Sequence, residues 1–412
     1  MRKMIILADD LTGAMDTAAF PASCGQPVQV LTELSAELPK DDPVVSVNTD
    51  TRRCTSEQAY SVYEKLCKGR FVPDEILFKK IDMGFRGNTP MEIEGCMLGG
   101  KFSACFLVPS IPDFGTFTKG GYQYVKGKLL TESLYQADPK HRPVDSYIPR
   151  ILKNGGCSLP SVVIPAGSGS RLLETVNSAL RSGAKILIFD TENNTDCTFI
   201  VETLVPRLKN ILWAGTLGLI QAISVYMFGP VQEPQLCTKK IRSFCLCGSN
   251  YDVTRAQIEQ AMKSRRLTLV TANIGDYLDG NPDVYADELV RRCISASRET
   301  EHILLAPYVP PEREYKGLDE EILSLLSRCG TEICKQIIPD RLVVIGGDTS
   351  GRILDQLGSK RIRINSKPET GLAEGILLDG DLAGKQFAAK GGSVGSIHAL
   401  EKLLCLPVNT YL

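Results

Sequence analysis

The sequence is poor in histidine and has no paired cysteine spacing. Its 412 residues include only three histidines and fourteen scattered cysteines, with no Cys-x-x-Cys pair. Protein zinc sites are built from clustered Cys and His ligands, so a zinc centre is not expected. The one close pair, Cys245 and Cys247, would point to the same face of a strand. Because the N-terminus lacks the features of a signal peptide, we expect reduced thiols and a cytoplasmic protein rather than a disulfide framework.

The chain also has no excess of charge of either sign. Its 47 Lys and Arg residues nearly balance 48 Asp and Glu residues, and the sequence pI is about 6.4. A nucleic-acid partner requires a basic face, so no such partner is expected. The hydrophobic content of 43% is typical of a soluble globular protein, and the length predicts two domains.

One uncharged stretch, Ile211 to Gln232, is long enough to cross a bilayer. Glycines and a proline interrupt it, so a strand at 211–213, a turn and a buried helix at 217–228 are the better interpretation. No membrane partner is therefore expected.

Short apolar strands alternate with helical stretches along both halves of the chain. This alternation predicts an α/β protein of two domains, each a largely parallel sheet flanked by helices. The segment 230–240 contains Pro230 and Pro234 and few apolar residues, which is typical of a linker. The predicted domains are therefore residues 1–229 and 241–412.

Two adjacent carboxylates follow the first predicted strand. Met4–Ala8 is apolar, and Asp9 and Asp10 stand at its end, where α/β proteins place ligands. Like charges held this close raise one another's pKa, which is costly without a role. The plain alternative is that Asp10 or Thr12 caps a helix and Asp9 lies in solvent.

Two more polar clusters stand at strand ends in the first half. They are Asn48 with Asp50 and Arg52, and Lys79 with Lys80, Asp82, Arg86 and Asn88. Arginine can grip a carboxylate with two hydrogen bonds, Asp and Asn can bind hydroxyls, and a buried Asp can take a hydroxyl proton during attack on phosphorus. The set suits a small polyhydroxylated acid. The alternative for each charge is an ion pair or a solvated turn, which we favour for Lys79 because it points away from Lys80 along the strand.

Three loops of small residues follow strands in the second half. They are Cys247–Asn250, Gly346–Gly351 and Lys390–Gly395. Glycines let the backbone approach a phosphate, and helix N-terminal amides point at it. No loop ends in the Gly-Lys-Ser/Thr of a Walker motif, and none is a GxGxxG fingerprint, which disfavours a dinucleotide-dependent oxidoreductase. Each alone is more often a plain turn, but three in one sheet predict a site for a nucleotide's phosphates. Lys390 either pairs with a phosphate or is a solvated loop lysine.

Four motifs, in this order, resemble those of the four-carbon acid sugar kinase family. They are Ala8–Ala14, Asn48–Arg52, Lys79–Asp82 with Arg86–Asn88, and Gly346–Gly351. The resemblance runs from Ile5 to near Leu400. It implies an N-terminal domain that binds a sugar acid and a C-terminal domain that binds ATP. It also implies phosphoryl transfer, with Mg²⁺, to a terminal hydroxyl of an acid such as threonate or erythronate.

The resemblance also implies roles for individual residues. The ATP contacts would be Ser249, Gly346, Gly347, Asp348, Thr349, Ser350, Lys390 and Gly392. The substrate would be bound by Asp9, Asp50, Arg52 and Asn88, beside the catalytic Asp10, Lys80, Asp82 and Arg86. Asp10 is the first choice for general base and Asp82 the second, while the cationic groups would hold the carboxylate or neutralise the transferred phosphoryl group. No residue is assigned to the metal.

Three departures from the family pattern bear on the substrate. Met83–Phe85 stands where the family has Ser-Thr-Leu, Gly115–Thr118 lacks the arginine of Gly-Arg-Thr-Thr, and Ser393 and Val394 replace Asn and Phe. The first two fall where substrate recognition would be, so the substrate could differ from threonate and erythronate. The alternative hypothesis is a catalytically weak regulatory protein that binds a sugar acid or nucleotide. A homodimer is one option for the oligomeric state.

Overall fold

The computed structural model describes residues 3–34, 38–39, 41–69, 75–138, 142–166, 169–232, 241–310 and 317–406. The chain divides into two compact units, residues 1–28 with 33–232, and residues 29–32 with 233–412. Most of the predicted linker, from 233 to 240, lies outside the described residues.

The strands of the described chain are named in chain order. They are β1 (Met4–Ala8), β2 (Val28–Leu31), β3 (Val44–Asn48), β4 (Ile76–Lys80), β5 (Ala104–Val108), β6 (Thr116–Lys119), β7 (Tyr122–Val125), β8 (Lys128–Leu129), β9 (Ser161–Ile164), β10 (Ile186–Phe189), β11 (Ile211–Gly215), β12 (Ser243–Cys247), β13 (Leu267–Asn273), β14 (His302–Tyr308), β15 (Arg341–Ile345), β16 (Arg361–Ser366), β17 (Leu372–Leu377) and β18 (Gln386–Lys390).

The α-helices are named in the same way. They are α1 (Leu11–Ser23), α2 (Ser56–Cys67), α3 (Thr89–Gly100), α4 (Ile148–Asn154), α5 (Leu172–Arg181), α6 (Asn194–Leu204), α7 (Leu217–Phe228), α8 (Asp252–Ala261), α9 (Ile274–Asp279), α10 (Pro282–Glu299), α11 (Asp319–Ile337), α12 (Gly347–Gln356) and α13 (Ala399–Leu403).

The first unit is built on a parallel sheet in the order β3-β1-β4-β11-β5-β10-β9. Every residue of β1, β3, β4, β5 and β11 is buried, as expected for strands covered on both faces. A small antiparallel sheet of β6, β7 and β8 follows β5 along the chain. The carboxyl ends of β1, β3 and β4 meet at one edge of the main sheet, where the predicted sugar-acid residues stand.

The second unit has a mixed sheet in the order β13-β14-β12-β15-β18-β17-β16-β2. Strands β13 to β18 in this order are parallel, and β17 runs antiparallel to both of its neighbours. The segment 29–32 groups with this unit, and the Thr32 backbone N–H donates to the Lys360 carbonyl at 3.0 Å. The α/β class, with two largely parallel sheets flanked by helices, is confirmed.

The uncharged stretch near residue 211 is a buried strand, β11, followed by the helix α7, as predicted. Among the described residues, no helix combines the length and the apolar composition that a bilayer span would need.

The helices that follow the three glycine loops of the second unit begin at defined residues. Helix α8 begins at Asp252, with Tyr251 as its N-cap. Helix α12 begins at Gly347, because Gly346, at φ 115°, turns the chain directly from strand into helix. Helix α13 begins at Ala399, after a loop in which the Ser396 hydroxyl donates to Glu369 at 2.8 Å.

Candidate active site

Asp10 is the N-cap of helix α1. Its Oδ1 accepts a hydrogen bond from the Gly13 backbone N–H at 2.9 Å, which caps the helix. The plain alternative from the sequence is therefore half right. Asp10 is a cap, but Asp9 is 1% exposed and does not lie in solvent.

Arg52 joins both of these carboxylates. Its Nε and Nη2 donate to Asp9 at 2.8 and 2.9 Å, and its Nη1 donates to Asp10 Oδ2 at 2.6 Å. Burial alone would raise the pKa of Asp9, but the positive charges of Arg52, Lys79 and Lys80 outweigh it and lower that pKa. The guanidinium lies on the loop after β3 and the carboxylates follow β1, so parallel pairing of these strands brings them together.

Asp82 and Arg86 form a second bidentate pair. Arg86 Nε and Nη2 donate to the two Asp82 oxygens at 3.0 and 2.7 Å, and the Gly84 N–H donates to Asp82 at 2.8 Å. Burial disfavours the Asp82 carboxylate, yet Arg86, with Arg52 and Lys80, lowers its pKa well below the usual range. Asp82 is therefore ionised and clamped to its arginine.

The turn that carries this second pair lies against the first. A Cβ at Gly87, where φ is +83°, would be 2.9 Å from Asp9 Oδ2 and 3.4 Å from Arg52 Cγ. A Cβ at Gly84 would be 2.8 Å from the ring of Tyr135, and that ring also packs against the Arg86 guanidinium at 5.3 Å. Glycine at these two positions lets the turn close over the arginines and carboxylates.

The two neighbouring lysines of β4 have different surroundings. Lys79 Nζ is 2.9 Å from Glu92 Oε2, and both side chains are fully buried, so of the two plain alternatives for Lys79, an ion pair or a solvated turn, the ion pair is found. The aliphatic part of Lys80 passes Gly13 of α1, where a Cβ would be 3.6 Å from Lys80 Cγ. Lys80 Nζ donates to the Ile81 carbonyl at 2.9 Å.

Two predicted substrate-binding residues lie apart from these pairs. The Asn88 side chain donates to the carbonyls of Thr51 and Cys54 at 3.0 and 2.9 Å, and its Oδ1 accepts from Ser56. It therefore supports the loop that carries Arg52. Asp50 is exposed, with a left-handed backbone at φ 53°.

The three glycine loops of the second unit converge at one sheet edge, because β12, β15 and β18 are parallel neighbours. A Cβ at Gly248 would be 1.9 Å from Thr349 Oγ1, and one at Gly392 would be 2.3 Å from Ser249 Oγ. The loops therefore pack glycine backbone against the hydroxyls of Thr349 and Ser249. Asp348 is exposed in the first turn of α12.

The side chains of two other predicted residues of these loops, Ser350 and Lys390, donate hydrogen bonds to backbone carbonyls. The Ser350 hydroxyl donates to the Gly346 carbonyl at 2.8 Å. Lys390 is fully buried, so the solvated-lysine alternative is wrong. Its Nζ donates to the Gly391 carbonyl at 2.8 Å and to the Val394 carbonyl at 3.3 Å. Burial lowers the pKa of Lys390 to about 8.

Sequence reasoning missed two features of the first site. One is Asp16, a carboxyl on α1 whose signal was a lone acid in a helix of small apolar residues. The other is the hydroxyl network under Arg52, in which the Thr51 hydroxyl donates to Glu92 at 2.6 Å and the Thr49 and Tyr63 hydroxyls are 3.0 Å apart. Isolated threonines carry no pattern that would have revealed it. Within the described ranges, no cluster of three or more His, Cys, Asp or Glu side chains could hold a metal.

Comparison with known proteins agrees with this division of the chain. Residues 4–223 match the model of a sugar-binding N-terminal domain, and residues 244–400 match that of a nucleotide-binding C-terminal domain. These domains define a class of two-domain kinases. The chain belongs to the four-carbon acid sugar kinase family, as the motifs predicted.

Several curated relatives are similar over almost their whole length. D-threonate kinase of Salmonella typhimurium strain LT2 is 24% identical, over 98% of this chain and 99% of the relative. D-erythronate kinase of Heliobacterium modesticaldum is 22% identical, over 97% and 95%. A 3-oxo-tetronate kinase of the same Salmonella strain is 24% identical, over 87% and 89%. Because each is named a kinase, the regulatory alternative is not favoured.

The fold is also found in solved structures. A crystal structure of a protein from Salmonella typhimurium LT2 matches with a TM-score of 0.79 and 21% identity, over 97% of this chain and 98% of the other. A Haemophilus influenzae protein matches with a TM-score of 0.72 and 17% identity, over 96% and 97%. At these identities the likeness concerns the fold alone.

Proposed function

We propose that this protein is an ATP-dependent kinase that phosphorylates a terminal hydroxyl of a four-carbon sugar acid in the cytoplasm. The observation that carries the proposal is the pairing of Arg52 and Arg86 with buried carboxylates at one strand edge of the sugar-binding unit. A sugar acid offers one carboxylate and several hydroxyls, which match guanidinium donors and carboxylate acceptors respectively.

In the proposal, the acid's carboxylate binds to arginine. Arg52 and Arg86 side chains are each 19% exposed, so part of each guanidinium remains accessible. Lys80, on the adjacent strand end, adds positive charge that would stabilise the developing charge on the transferred phosphoryl group. These groups are held rigidly by their ion pairs, which orients the acceptor hydroxyl for attack.

The two predicted general bases, Asp82 and Asp10, differ in the contacts that they already make. Asp82 has a strongly lowered pKa and is bound to Arg86, so in the proposal it orients that arginine. Asp10 is 21% exposed, and each of its oxygens accepts one hydrogen bond, from Gly13 and from Arg52. Its remaining lone pairs could bind a substrate hydroxyl, which keeps Asp10 in contact with the acceptor.

The nucleotide would bind at the glycine loops of the second unit. The N–H groups at the start of α12 and the hydroxyls of Ser249 and Thr349 suit phosphate oxygens. Mg²⁺ keeps several waters and is commonly held by phosphates plus one or two carboxylates, so it needs no cage of protein ligands. Asp348, exposed in the first turn of α12, is the carboxylate we propose for it. The ion would offset negative charge on the phosphates.

The relatives are named for different acids of the same size, so the substrate must be identified by testing these acids side by side. Met83 and Phe85 pack against a cluster of Val125, Leu130 and Tyr135. Met83 and Gly84 stand where the family pattern has two hydroxyls, which favours an acid with fewer hydroxyls to recognise on that side. The homodimer considered from the sequence remains a prediction.

The test is an ADP-release assay with ATP, Mg²⁺ and the D and L forms of threonate and erythronate, with 3-oxo-tetronate. We expect ADP and a phosphorylated acid, identified by mass, with at least one of them. Threitol, which has the hydroxyls of threonate without its carboxylate, is the matched control and should react far more slowly. The proposal fails if no acid gives ADP above background in a sample that binds ATP.

A further inference from the structure

One residue of helix α1 differs in burial from all the others. Every residue from Leu11 to Ser23 is buried except Asp16. A helix buried on all sides has no solvated face on which a charged side chain would ordinarily lie. Asp16 is therefore the one residue of this helix that is partly exposed to solvent.

Asp16 lies on the side of α1 that faces Lys80. Asp16 follows Gly13 by three residues, so both lie on one face of the helix. Gly13 is the point where Lys80 passes closest, with a hypothetical Cβ 3.6 Å from Lys80 Cγ. The charged groups that act on Asp16 are Lys80, Asp10 and Arg52, the same groups that form the candidate acid-binding site. Helix α7 and strand β3, which also pack against α1, contribute no charged side chain there.

Asp16 is also the carboxyl of this site that holds no arginine. Asp9 and Asp10 share Arg52, and Asp82 is clamped to Arg86. Within the described residues, Asp16 accepts a hydrogen bond from the Thr17 hydroxyl at 3.2 Å. Burial, opposed by Lys80 and reinforced by the charge of Asp10, raises the pKa of Asp16 to about 7. A general base works best when its pKa is near the operating pH.

We propose that Asp16 is the general base of the kinase reaction. The inference rests on the proposed function and assigns its proton acceptor. The substrate hydroxyl oxygen forms a bond to the γ-phosphorus of ATP, and the bond from that phosphorus to the β,γ-bridging oxygen breaks. ADP leaves with the electron pair of the broken bond. The hydroxyl proton moves to the Asp16 carboxylate and then to solvent, to which this residue is partly exposed.

The test compares Asp16→Asn with the wild type on the acid that the wild type phosphorylates. We expect kcat to fall by about 10²- to 10⁴-fold, the usual contribution of a general base, with KM for ATP unchanged. The wild-type profile of kcat/KM should rise with pH and level off above about 7, and this limb should vanish in Asp16→Asn. Asp16→Glu should recover part of the rate. Glu174→Gln, which removes an exposed carboxylate from α5 of the same unit, should leave both rate and profile unchanged.

The outcomes separate this role from the proposed function. If the wild type phosphorylates no acid, both ideas fail together. If the wild type is active and Asp16→Asn keeps its kcat within a few-fold, the role of Asp16 alone is overturned. If Asp16→Asn shows no cooperative thermal unfolding and so is not folded, the pH profile of wild-type kcat/KM decides. A kcat/KM that is flat between pH 5 and 8 overturns the role, and one that rises with a midpoint near pH 7 supports it.

Discussion

Lys79 Nζ and Glu92 Oε2 are 2.9 Å apart in the interior of the first unit, with neither side chain exposed. Glu92 also accepts from the Thr51 hydroxyl at 2.6 Å, one residue before Arg52. The pair therefore anchors the loop that carries the arginine to helix α3 and strand β4. A charge pair at this depth is stable only when both members are present, because a single buried ion has no solvent to replace its partner.

Removing the charge of one member of this pair should strongly destabilise the folded protein. We expect Glu92→Gln to lower the free energy of unfolding by about 3–5 kcal/mol, since Lys79 would keep its charge without a counter-ion. Urea denaturation followed by circular dichroism measures the change. The double variant Lys79→Met/Glu92→Leu removes both charges and should lose less than Glu92→Gln alone. Equal stability of Glu92→Gln and wild type would contradict the importance of the pair.

Arg52→Lys should weaken binding of the sugar acid while preserving positive charge. A lysine cannot reproduce the two parallel hydrogen bonds to Asp9, nor hold Asp10 at the same time. The expected result is a rise of about 10- to 100-fold in KM for the acid, with KM for ATP unchanged. Steady-state kinetics at varied acid concentration measures it. The neighbouring exposed Arg53, changed to Lys, is the control, and an equal effect there would show that the loss does not depend on the contacts of Arg52 with Asp9 and Asp10.

Gly248→Ala should impair nucleotide binding through a steric clash. The new methyl group would be 1.9 Å from Thr349 Oγ1, so one of the two loops must shift. We expect KM for ATP to rise about tenfold or more, since small displacements of a binding group have large effects. Gly351→Ala is the matched control, because nothing lies within 4 Å of its added Cβ and alanine favours the helix. Unchanged ATP kinetics in Gly248→Ala would mean that these loops do not bind the phosphates.

His302 should make the protein less stable in mild acid. Burial, with help from Arg266, lowers the pKa of His302 to about 4, and neither ring nitrogen has a hydrogen-bond partner among the described residues. An unfolded histidine has a pKa near 6.5, so the unfolded state binds the proton more readily between these two values. Stability is therefore complete above about pH 6.5 and falls as the pH drops towards 4.

The change between pH 7.5 and pH 5 should be on the order of 2 kcal/mol from this residue. Thermal melts of the wild type at a series of pH values, compared with His302→Leu, measure it. The variant should lose most of the acid sensitivity, whereas His398→Gln, at a half-buried position, should keep it. A slope that is the same in His302→Leu as in the wild type would assign the acid sensitivity to other groups.

Strand ends were the most predictable part of this molecule. The apolar run before Asp9 and the one before Gly346 are buried parallel strands, because only such strands are apolar on both faces. In each unit, polar residues directly after such strands had to fall at the carboxyl edge of that unit's parallel strands. The side chains' partners were not predictable, since Asn88 could equally have faced a ligand or the loop backbone.

Residues whose role depends on burial by elements far away in the sequence could not be identified from the sequence. From the sequence, Lys390 could be either a phosphate contact or a solvated loop lysine, whereas the strand β18 carries it fully into the interior. Asp16 stands in no motif of the sequence, and its environment follows from the burial of every other residue of α1. In both cases the tertiary cover over the element, rather than its own pattern, decides the chemistry of the side chain.

The Asp9–Arg52–Asp10 and Asp82–Arg86 pairs, with Lys80, set three cations against three carboxylates. An approaching anion therefore meets no net positive charge and must compete with an aspartate for the accessible part of a guanidinium. In the proposed function, an aspartate that gives up an arginine contact needs a new hydrogen-bond donor. A sugar acid carries hydroxyls that can supply one, whereas sulfate has no proton to donate at neutral pH. We therefore expect this arrangement to disfavour sulfate, which a bare basic pocket would bind.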